Sequence, residues 1–291
     1  MKKLILFVFL TALFTGSVLA ADQWAVTEPL GTRDAADIDT YIGVNNAALD
    51  RLAIKYRKDC TVMSSSATGI TVNTGEIAIS NAAGTVTRWR RNTSSTSVGW
   101  ANIDTGAEAN STQYYVYALA DADATTFTVQ ISASSSAPTG ATYYRKIGYF
   151  YNNASGNIVS VGNVKGGDVS NVVSVVGSTD ISTTSAAYAD MTDMVIYFVS
   201  YGRPARLTYS GPFYGSSDAN YAAIAFDVDG TDVKESISGY YHSYGAASSD
   251  GTVYVGNLTS GTHTIKVQWK TTGTGYQKGA TYNRQLIAEE L

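Results

Sequence analysis

The residues that could do chemistry here are few. The chain holds two histidines, His242 and His263, one cysteine, Cys60, and six glutamates among 291 residues. His263 alternates with Ile265, Val267 and Trp269 on one face of a strand, where a hydrogen-bonded structural histidine is expected. His242 sits in Tyr240-Tyr241-His242-Ser243-Tyr244, and no second histidine or cysteine is spaced to complete a metal site with it. Serine and aspartate are plentiful enough for a triad, but neither histidine is accompanied by a Gly-x-Ser-x-Gly elbow. The run Asp227-Val228-Asp229-Gly230-Thr231-Asp232 hints at a calcium loop. An EF-hand would place a third acid before the glycine and end on a glutamate, whereas residue 236 is serine. A hairpin turn at Asp229-Gly230 explains the run instead. Glycoside hydrolysis needs two facing carboxylates, and spacing alone pairs none. The expectation is a non-enzymatic protein with no catalytic residue, metal or cofactor.

Recognition is the chemistry that remains. Two aromatic stretches read as loops on a β scaffold, Pro212 to Tyr221 and Tyr240 to Tyr244. Tyrosine offers a flat apolar face with a hydroxyl at its edge, which suits stacking on a sugar ring. The candidate ligand residues are Phe213, Tyr214, Asp218, Asn220, Tyr221, Tyr240, Tyr241, His242 and Tyr244, with Ser243 a further polar contact. The alternative is that these rings pack inside the fold or between subunits.

The scaffold itself is expected to be mainly β. Gly261 to Lys270 alternates without error, and Phe127, Val129 and Ile131 do the same, so each predicts a strand with one buried face. Ile70 to Val72, Glu76 to Ser80, Thr85 to Arg90, Gln113 to Leu119 and Tyr143 to Tyr151 add short strands, with turn residues every ten or so positions. This predicts an all-β domain over 59–167. Over 168–291 the strands lengthen. Val172–Val176, the apolar run Met194–Val199, Ala222–Val228, Thr231–Ser236, Thr252–Leu258, His263–Trp269 and Tyr282–Leu291 predict a jelly-roll β-sandwich of seven or eight strands. Ala223 and Ala225 would form a small-residue face suited to packing against copies of the chain. The arginines Arg88, Arg90 and Arg91 fall on both faces of one strand and read as a solvated strand end.

Before these domains comes a different kind of sequence. Met1 to Ala20 has a basic start, an apolar core at Leu4–Phe14 and Val18-Leu19-Ala20 at its end, the pattern of a secretory signal peptide. The apolar run is too short for a helix across roughly 30 Å of hydrocarbon, so no membrane span is expected after cleavage. Without the leader's two lysines the chain carries 18 basic and 24 acidic residues, a net of −6, which argues against nucleic acid as a partner. Asp34 to Lys58, within the segment 21–58, predicts one short helix. Ile38, Ile42, Asn45, Leu49, Leu52 and Tyr56 form a heptad seam with one polar member. The seam reads either as a self-associating neck or as the buried face of a helix packed on its own domain. Cys60 allows no intrachain disulfide and reads as a buried small side chain rather than an interchain bridge.

Several stretches carry a family resemblance. Arg90-Arg91-Asn92-Thr93, Gly99-Trp100, Asp104-Thr105-Gly106, Tyr114-Tyr115-Val116-Tyr117, Ala137-Pro138-Thr139-Gly140 and Tyr143 to Gly148 resemble bacteriophage tail-fibre proteins. Gly261 to Trp269 with Arg284-Gln285-Leu286 is similar to the heads of such fibres, which themselves resemble the trimeric jelly rolls of the tumour-necrosis-factor and complement type. The resemblance implies a homotrimer whose tip binds a cell-surface receptor, often a glycan. The leader departs from a virion tail and favours a secreted, fibre-like or adhesin-like extracellular protein. A monomeric secreted carbohydrate-binding module and a secreted polysaccharide-degrading enzyme are the competing readings. Amino-terminal sequencing of the exported protein should find Ala21 first; finding Met1 would refute the leader and return the virion setting.

Overall fold

The computed structural model describes residues 56–291 except 122–123, 167–168, 216–220, 241–246, 257 and 279–282, and omits the side chains of 215, 221, 234–240, 247–249 and 278. The leader, most of the expected helix and the seam residues Ile38, Ile42, Asn45, Leu49 and Leu52 lie outside the described residues. Within them the chain is mainly β, and a 3-10 turn at Trp100–Asn102 is the one helical element.

Ten strands come first: β1 (Arg57–Asp59), β2 (Val62–Ser66), β3 (Gly69–Val72), β4 (Gly75–Ser80), β5 (Thr87–Asn92), β6 (Thr96–Gly99), β7 (Thr112–Leu119), β8 (Thr128–Ser132), β9 (Tyr144–Asn152) and β10 (Ile158–Asn163). They build three sheets ordered β1-β4-β5, β2-β3-β6 and β10-β9-β7-β8, all antiparallel. Strand β7 explains why the tyrosine-rich stretch lacks a polar alternation. Tyr114, Val116 and Ala118 enter a core with Ile70, Ile77, Ile79 and Phe150, while Tyr115 and Tyr117 enter a second core on the opposite face. A strand buried on both faces has no wet side to keep polar.

The end of the expected helix is corrected. Arg57 and Lys58 belong to β1, which pairs with β4. Arg57 is 2% exposed. Its guanidinium donates to the carbonyls of Ile147 (2.8 Å), Val164 (2.7 Å), Cys60 (2.8 Å) and Asp59 (3.2 Å) and to Asn163 Oδ1 (3.1 Å). The partners beyond Cys60 lie far along the chain, so heptad spacing could not reveal them. Tyr56 accordingly leaves the seam: its ring lies 4.6 Å from that of Trp89 and its hydroxyl donates to Glu76. Cys60 is fully buried in the first core, as expected.

Ten more strands complete the chain: β11 (Val172–Gly177), β12 (Asp180–Thr183), β13 (Ala189–Tyr201), β14 (Ala205–Gly215), β15 (Tyr221–Val228), β16 (Thr231–Tyr240), β17 (Ala247–Val255), β18 (Ser260–Thr271), β19 (Gly275–Lys278) and β20 (Arg284–Glu290). One sheet runs β11-β20-β14, with β17 on the far edge of β14 and β19-β12 paired to its end; the other runs β13-β18-β15-β16. The chain crosses repeatedly between the two sheets, which makes this a jelly roll. His263, Ile265, Val267 and Trp269 of β18 all point inward and are at most 7% exposed. The hairpin expected at Asp229-Gly230 is present, with φ of 55° and 82° at the two residues, the left-handed pair that a type I′ turn requires.

Strand β14 was hidden in the sequence. The sequence reads its outer end, from Pro212, as part of an aromatic loop. Pro212 is tolerated because β14 pairs with β20 only through Ser210 and with β19 only from Tyr214, so no ladder partner on that side asks for its missing N–H. The small-residue face is also corrected. Ala223 and Ala225 are 2% and 1% exposed within a single chain. They lie beside the longer Lys270 and Gln268 of β18, and short side chains flanked by long ones are covered without a partner.

Two arginines take the place of disulfides as cross-links. Arg284, fully buried on β20, clasps Asp193 of the opposite sheet through Nε (3.0 Å) and Nη2, and donates to the Thr179 carbonyl (2.7 Å). Gly177 is required here, because a Cβ would meet Asp193 Oδ2 at 2.5 Å and Arg284 Nε at 2.6 Å. Arg57 plays the matching part in the first half of the chain.

The two halves share a junction. Buried Asn171 accepts from the Tyr149 hydroxyl (2.8 Å) and donates to the Val199 carbonyl (2.9 Å) and to Glu290 Oε2 (3.2 Å). Glu290 also accepts from the Tyr201 amide (2.6 Å) and the Ser200 hydroxyl (3.2 Å). Burial pushes the Tyr149 phenol well above its ordinary range, so it stays a neutral donor. Tyr151 stacks on Tyr197 with centroids 3.6 Å apart, and Ser160 Oγ accepts the Tyr197 amide. This contact explains why the apolar run Met194–Val199 has a half-buried outer face at Val195 and Tyr197. Asn171→Ala leaves Tyr149 and Glu290 short of partners in a dry site and should cost about 2–4 kcal/mol. Calorimetry should show the single transition splitting as the halves uncouple; an unshifted transition would refute the coupling.

Candidate functional site

The jelly roll has two unlike ends. At one, Asn171, Tyr201 and Glu290 meet the first half of the chain. At the other, β14 ends at Gly215, β15 begins at Tyr221, β16 ends at Tyr240 and β17 begins at Ala247. The register there pairs Tyr221 with Tyr240, Phe213 with Ala247, Tyr214 with Tyr276, and Ala222 with Thr271. Four connections therefore start from one rim: 184–188, 216–220, 241–246 and 272–274. The described residues of both aromatic stretches, Pro212 to Gly215 with Tyr221 and Tyr240, lead to that rim.

The candidate residues separate into three groups. Phe213 is fully buried, with its ring 5.6 Å from Trp269 in an edge-on contact, so it serves the core and offers nothing to a ligand. Tyr214 is half-buried on the outer face of β14. Tyr221 and Tyr240 occupy strand positions at the rim, while Asp218, Asn220, Tyr241, His242 and Tyr244 lie outside the described residues.

Sequence reasoning missed Tyr276. It stands among glycines, Gly273-Thr274-Gly275-Tyr276, outside every strand expected from the sequence. The structure places it on β19 directly opposite Tyr214 and leaves it 37% exposed. Tyr214 and Tyr276 therefore stand as neighbours on one outer sheet face next to the rim. Lys270 and Tyr188 lie nearby in the register of the other sheet, the ammonium 4.2 Å from the ring centroid. That cation–π contact orders the start of β13.

The residues singled out for possible chemistry are built into the frame. Asp229 accepts the Thr264 amide (2.8 Å) and lies 2.7 Å from His263 Nδ1, while His263 Nε2 lies 2.8 Å from the Thr259 carbonyl. Asp227 accepts the Gly230 amide at 3.1 Å, closing the hairpin. These groups sit at the end of the sandwich opposite the aromatic rim. Of the three arginines, Arg88 lies over the Tyr143 ring at 3.9 Å and Arg90 donates to the Asp121 carbonyl, while Arg91 faces solvent.

The outer faces of the two sheets differ in kind. On the four-stranded sheet, Asp190 accepts from Lys266 (2.6 Å) and Gln268 (2.9 Å), and these bonds, Lys266 first, hold its carboxyl below the usual carboxylate range. On the other sheet Val172, Val176 and Tyr254 are 37%, 49% and 66% exposed, and Arg206 and Glu289 neutralise each other.

Residues 60–173 match the family model of the Mtd second domain. The chain is similar there to that family, over the first group of sheets and into β11. No curated protein sequence matches the chain. Among solved structures, T=1 particles derived from infectious bursal virus share 11% identity at a TM-score of 0.31, covering 81% of this chain and 72% of that one. The insecticidal delta-endotoxin Cry8Ea1 of Bacillus thuringiensis shares 10% identity at a TM-score of 0.27, covering 81% and 52%.

The division of labour at the rim is measurable. Phe213→Ala should destabilise the protein by about 3–5 kcal/mol, as an aromatic removed from a packed core does. Tyr276→Ala should stay within about 1 kcal/mol. Urea denaturation that ranked the two in the opposite order would refute this assignment.

Proposed function

We propose that this is a non-enzymatic, extracellular, fibre-like structural and adhesive protein. Its jelly-roll head recognises a cell-surface receptor or glycan through the aromatic rim. The observation that carries the reading is that the strand ends flanking both aromatic stretches, Gly215, Tyr221 and Tyr240, stand at the end of the sandwich away from the Asn171 junction. A recognition end needs a stiff mount, and the shared junction supplies one by tying the head to the preceding sheets. Tyr214 and Tyr276 give the apolar surface on which a pyranose ring stacks, and Asp218, Asn220 and Ser243, which lie outside the described residues, would supply the polar contacts.

The head works as a homotrimer. Supporting this is the outer face of the β11-β20-β14-β17 sheet, where Val172, Val176 and Tyr254 face water around a self-neutralised ion pair. Exposed apolar side chains grouped on one face mark an association surface. The polar outer face of the other sheet would remain in solvent. The leader directs the chain out of the cell, which fits an adhesive role.

One experiment separates these statements. Light scattering of the mature protein should return a trimer mass, and Tyr214→Ala/Tyr241→Ala should abolish binding to cells or immobilised glycans with the melting temperature within about 5 °C of the parent. Unfolding or dissociation of the double variant would show that these rings hold the fold and that recognition lies elsewhere. A monomer mass with intact glycan binding would identify a single carbohydrate-binding module instead.

A further inference from the structure

Among the described residues, Trp269 lies in the jelly-roll core and Trp100 packs edge-on against Tyr114 and Phe150. Trp89 turns outward and is 47% exposed. The ladder between β4 and β5 runs without a bulge and sets Trp89 opposite Ala78 and Arg91 opposite Glu76. The chain around β1 continues both rows: Lys58 pairs with Glu76, and the Tyr56 carbonyl accepts the Ala78 amide. The outer face of the β1-β4-β5 sheet therefore carries an aromatic row, Tyr56-Ala78-Trp89, beside a charged row, Lys58-Glu76-Arg91. The Tyr56 ring leans on Trp89 at 4.6 Å, 47° from parallel, and its hydroxyl donates to Glu76 Oε2 at 3.3 Å, which ties the two rows together.

The charged row opens on a cleft of about 200 Å³, whose lining includes Lys58, Asp59, Thr74, Glu76, Arg91 and Thr93. Its two cations and two carboxylates cancel, so the cleft has no net charge with which to select an ion. Hydrogen-bonding capacity is nevertheless left over. Arg91 uses only Nε on Glu76 Oε1, at 3.4 Å, and its side chain is 68% exposed. Its two terminal amino groups and the Lys58 ammonium bond nothing among the described residues. Each Glu76 oxygen has one partner, Arg91 or Tyr56, and a carboxylate oxygen accepts two. Donors and acceptors thus stand side by side. Trp89 lies two residues from Arg91 on the same face, about 6.6 Å along the strand. An apolar wall with a few convergent polar groups is the make-up of a small-ligand site. A neutral polyhydroxyl ring answers each part of it, because its hydroxyls both donate and accept at the edge while its CH face is apolar.

We infer that the outer face of the β1-β4-β5 sheet binds a neutral pyranose, its CH face stacked on Trp89 and its hydroxyls bonded to Arg91 and Glu76, with Lys58 closing the far side. This is a second glycan contact, separate from the aromatic rim of the head and carried by the sheets that precede it. Tyr56 is the positioning residue, because one ring braces Trp89 and its hydroxyl holds Glu76.

The test titrates the full mature chain with the methyl glycosides of glucose, galactose and mannose at millimolar concentration. Trp89 fluorescence is read as the difference between the parent and Trp89→Phe. At least one of the three sugars should change that signal saturably and shield Trp89 from acrylamide. Arg91→Ala should weaken this binding about tenfold or more, as loss of a hydrogen bond from a charged group does. Arg91→Lys keeps the charge but loses the planar fork, and should weaken it as well. The methyl glycoside of galacturonic acid should bind no tighter than that of galactose. Circular dichroism checks that the sheets of each variant are intact. The absence of a saturable change with all three sugars overturns the proposal, as does an unaltered affinity in Arg91→Ala. Tighter binding of the uronic acid overturns the neutral ligand. Tyr214→Ala/Tyr276→Ala should leave the Trp89 titration unmoved; its loss in that variant would place the sugar at the rim, which overturns the second site and leaves the rim reading standing.

Discussion

The structure depends on one buried amide. Asn171 stands between two bodies of sheet and bonds a tyrosine of the first, a carbonyl of the second and the carboxylate of Glu290, the last residue of β20. Each of these groups would be costly to bury alone. Together they are satisfied, and a satisfied polar network in a dry site has one geometry rather than many. The apolar contacts around it, including Tyr115, Tyr117 and Tyr149 in the jelly-roll core, supply most of the burial. The polar network fixes how that burial is oriented. A head aimed at a surface would need its mount fixed in this way.

The same device recurs inside each half. Arg57 gathers four carbonyls and one side-chain amide, and Arg284 ties β20 to Asp193 on the facing sheet. Buried guanidinium groups are expensive unless every donor finds a geometrically fitting acceptor. Here the acceptors they gather come from distant parts of the chain, so each guanidinium joins segments far apart in sequence. In a chain with a single cysteine, these arginines do the long-range cross-linking that disulfides do in many exported domains.

Tyrosine is used in two ways, and the distinction bears on recognition. Tyr117, Tyr149 and Tyr209 are fully buried and bond through their hydroxyls to Ser134, Asn171 and Gln277. Tyr254 and Tyr276 face water from the outer sheet. Composition makes both uses look alike, because the same ring suits a core with a hydrogen-bond partner and a surface with a ligand. Only the face of the strand decides between them, and one residue of register reverses it.

The sequence by itself determined the periodicity and its local consequences. The alternation of β18, the Asp229-Gly230 hairpin, the buried Cys60, the structural His263 and the mainly β jelly-roll class were all legible, because each rests on contacts between near neighbours or on the face a side chain must take. The tertiary structure decided everything that depends on distant partners. It ended the helix pattern before Arg57, because that arginine answers to Ile147 and Val164. It turned the Pro212 stretch into strand, because β20 and β19, on one side of β14, leave a gap at the proline while β17 pairs it on the other. It moved Phe213 from ligand contact to core against Trp269, covered Ala223 and Ala225, and set Tyr214 beside Tyr276 at a rim that no local pattern connects. Local spacing fixes which face a residue takes; which surface waits on that face is settled only when the sheets pack.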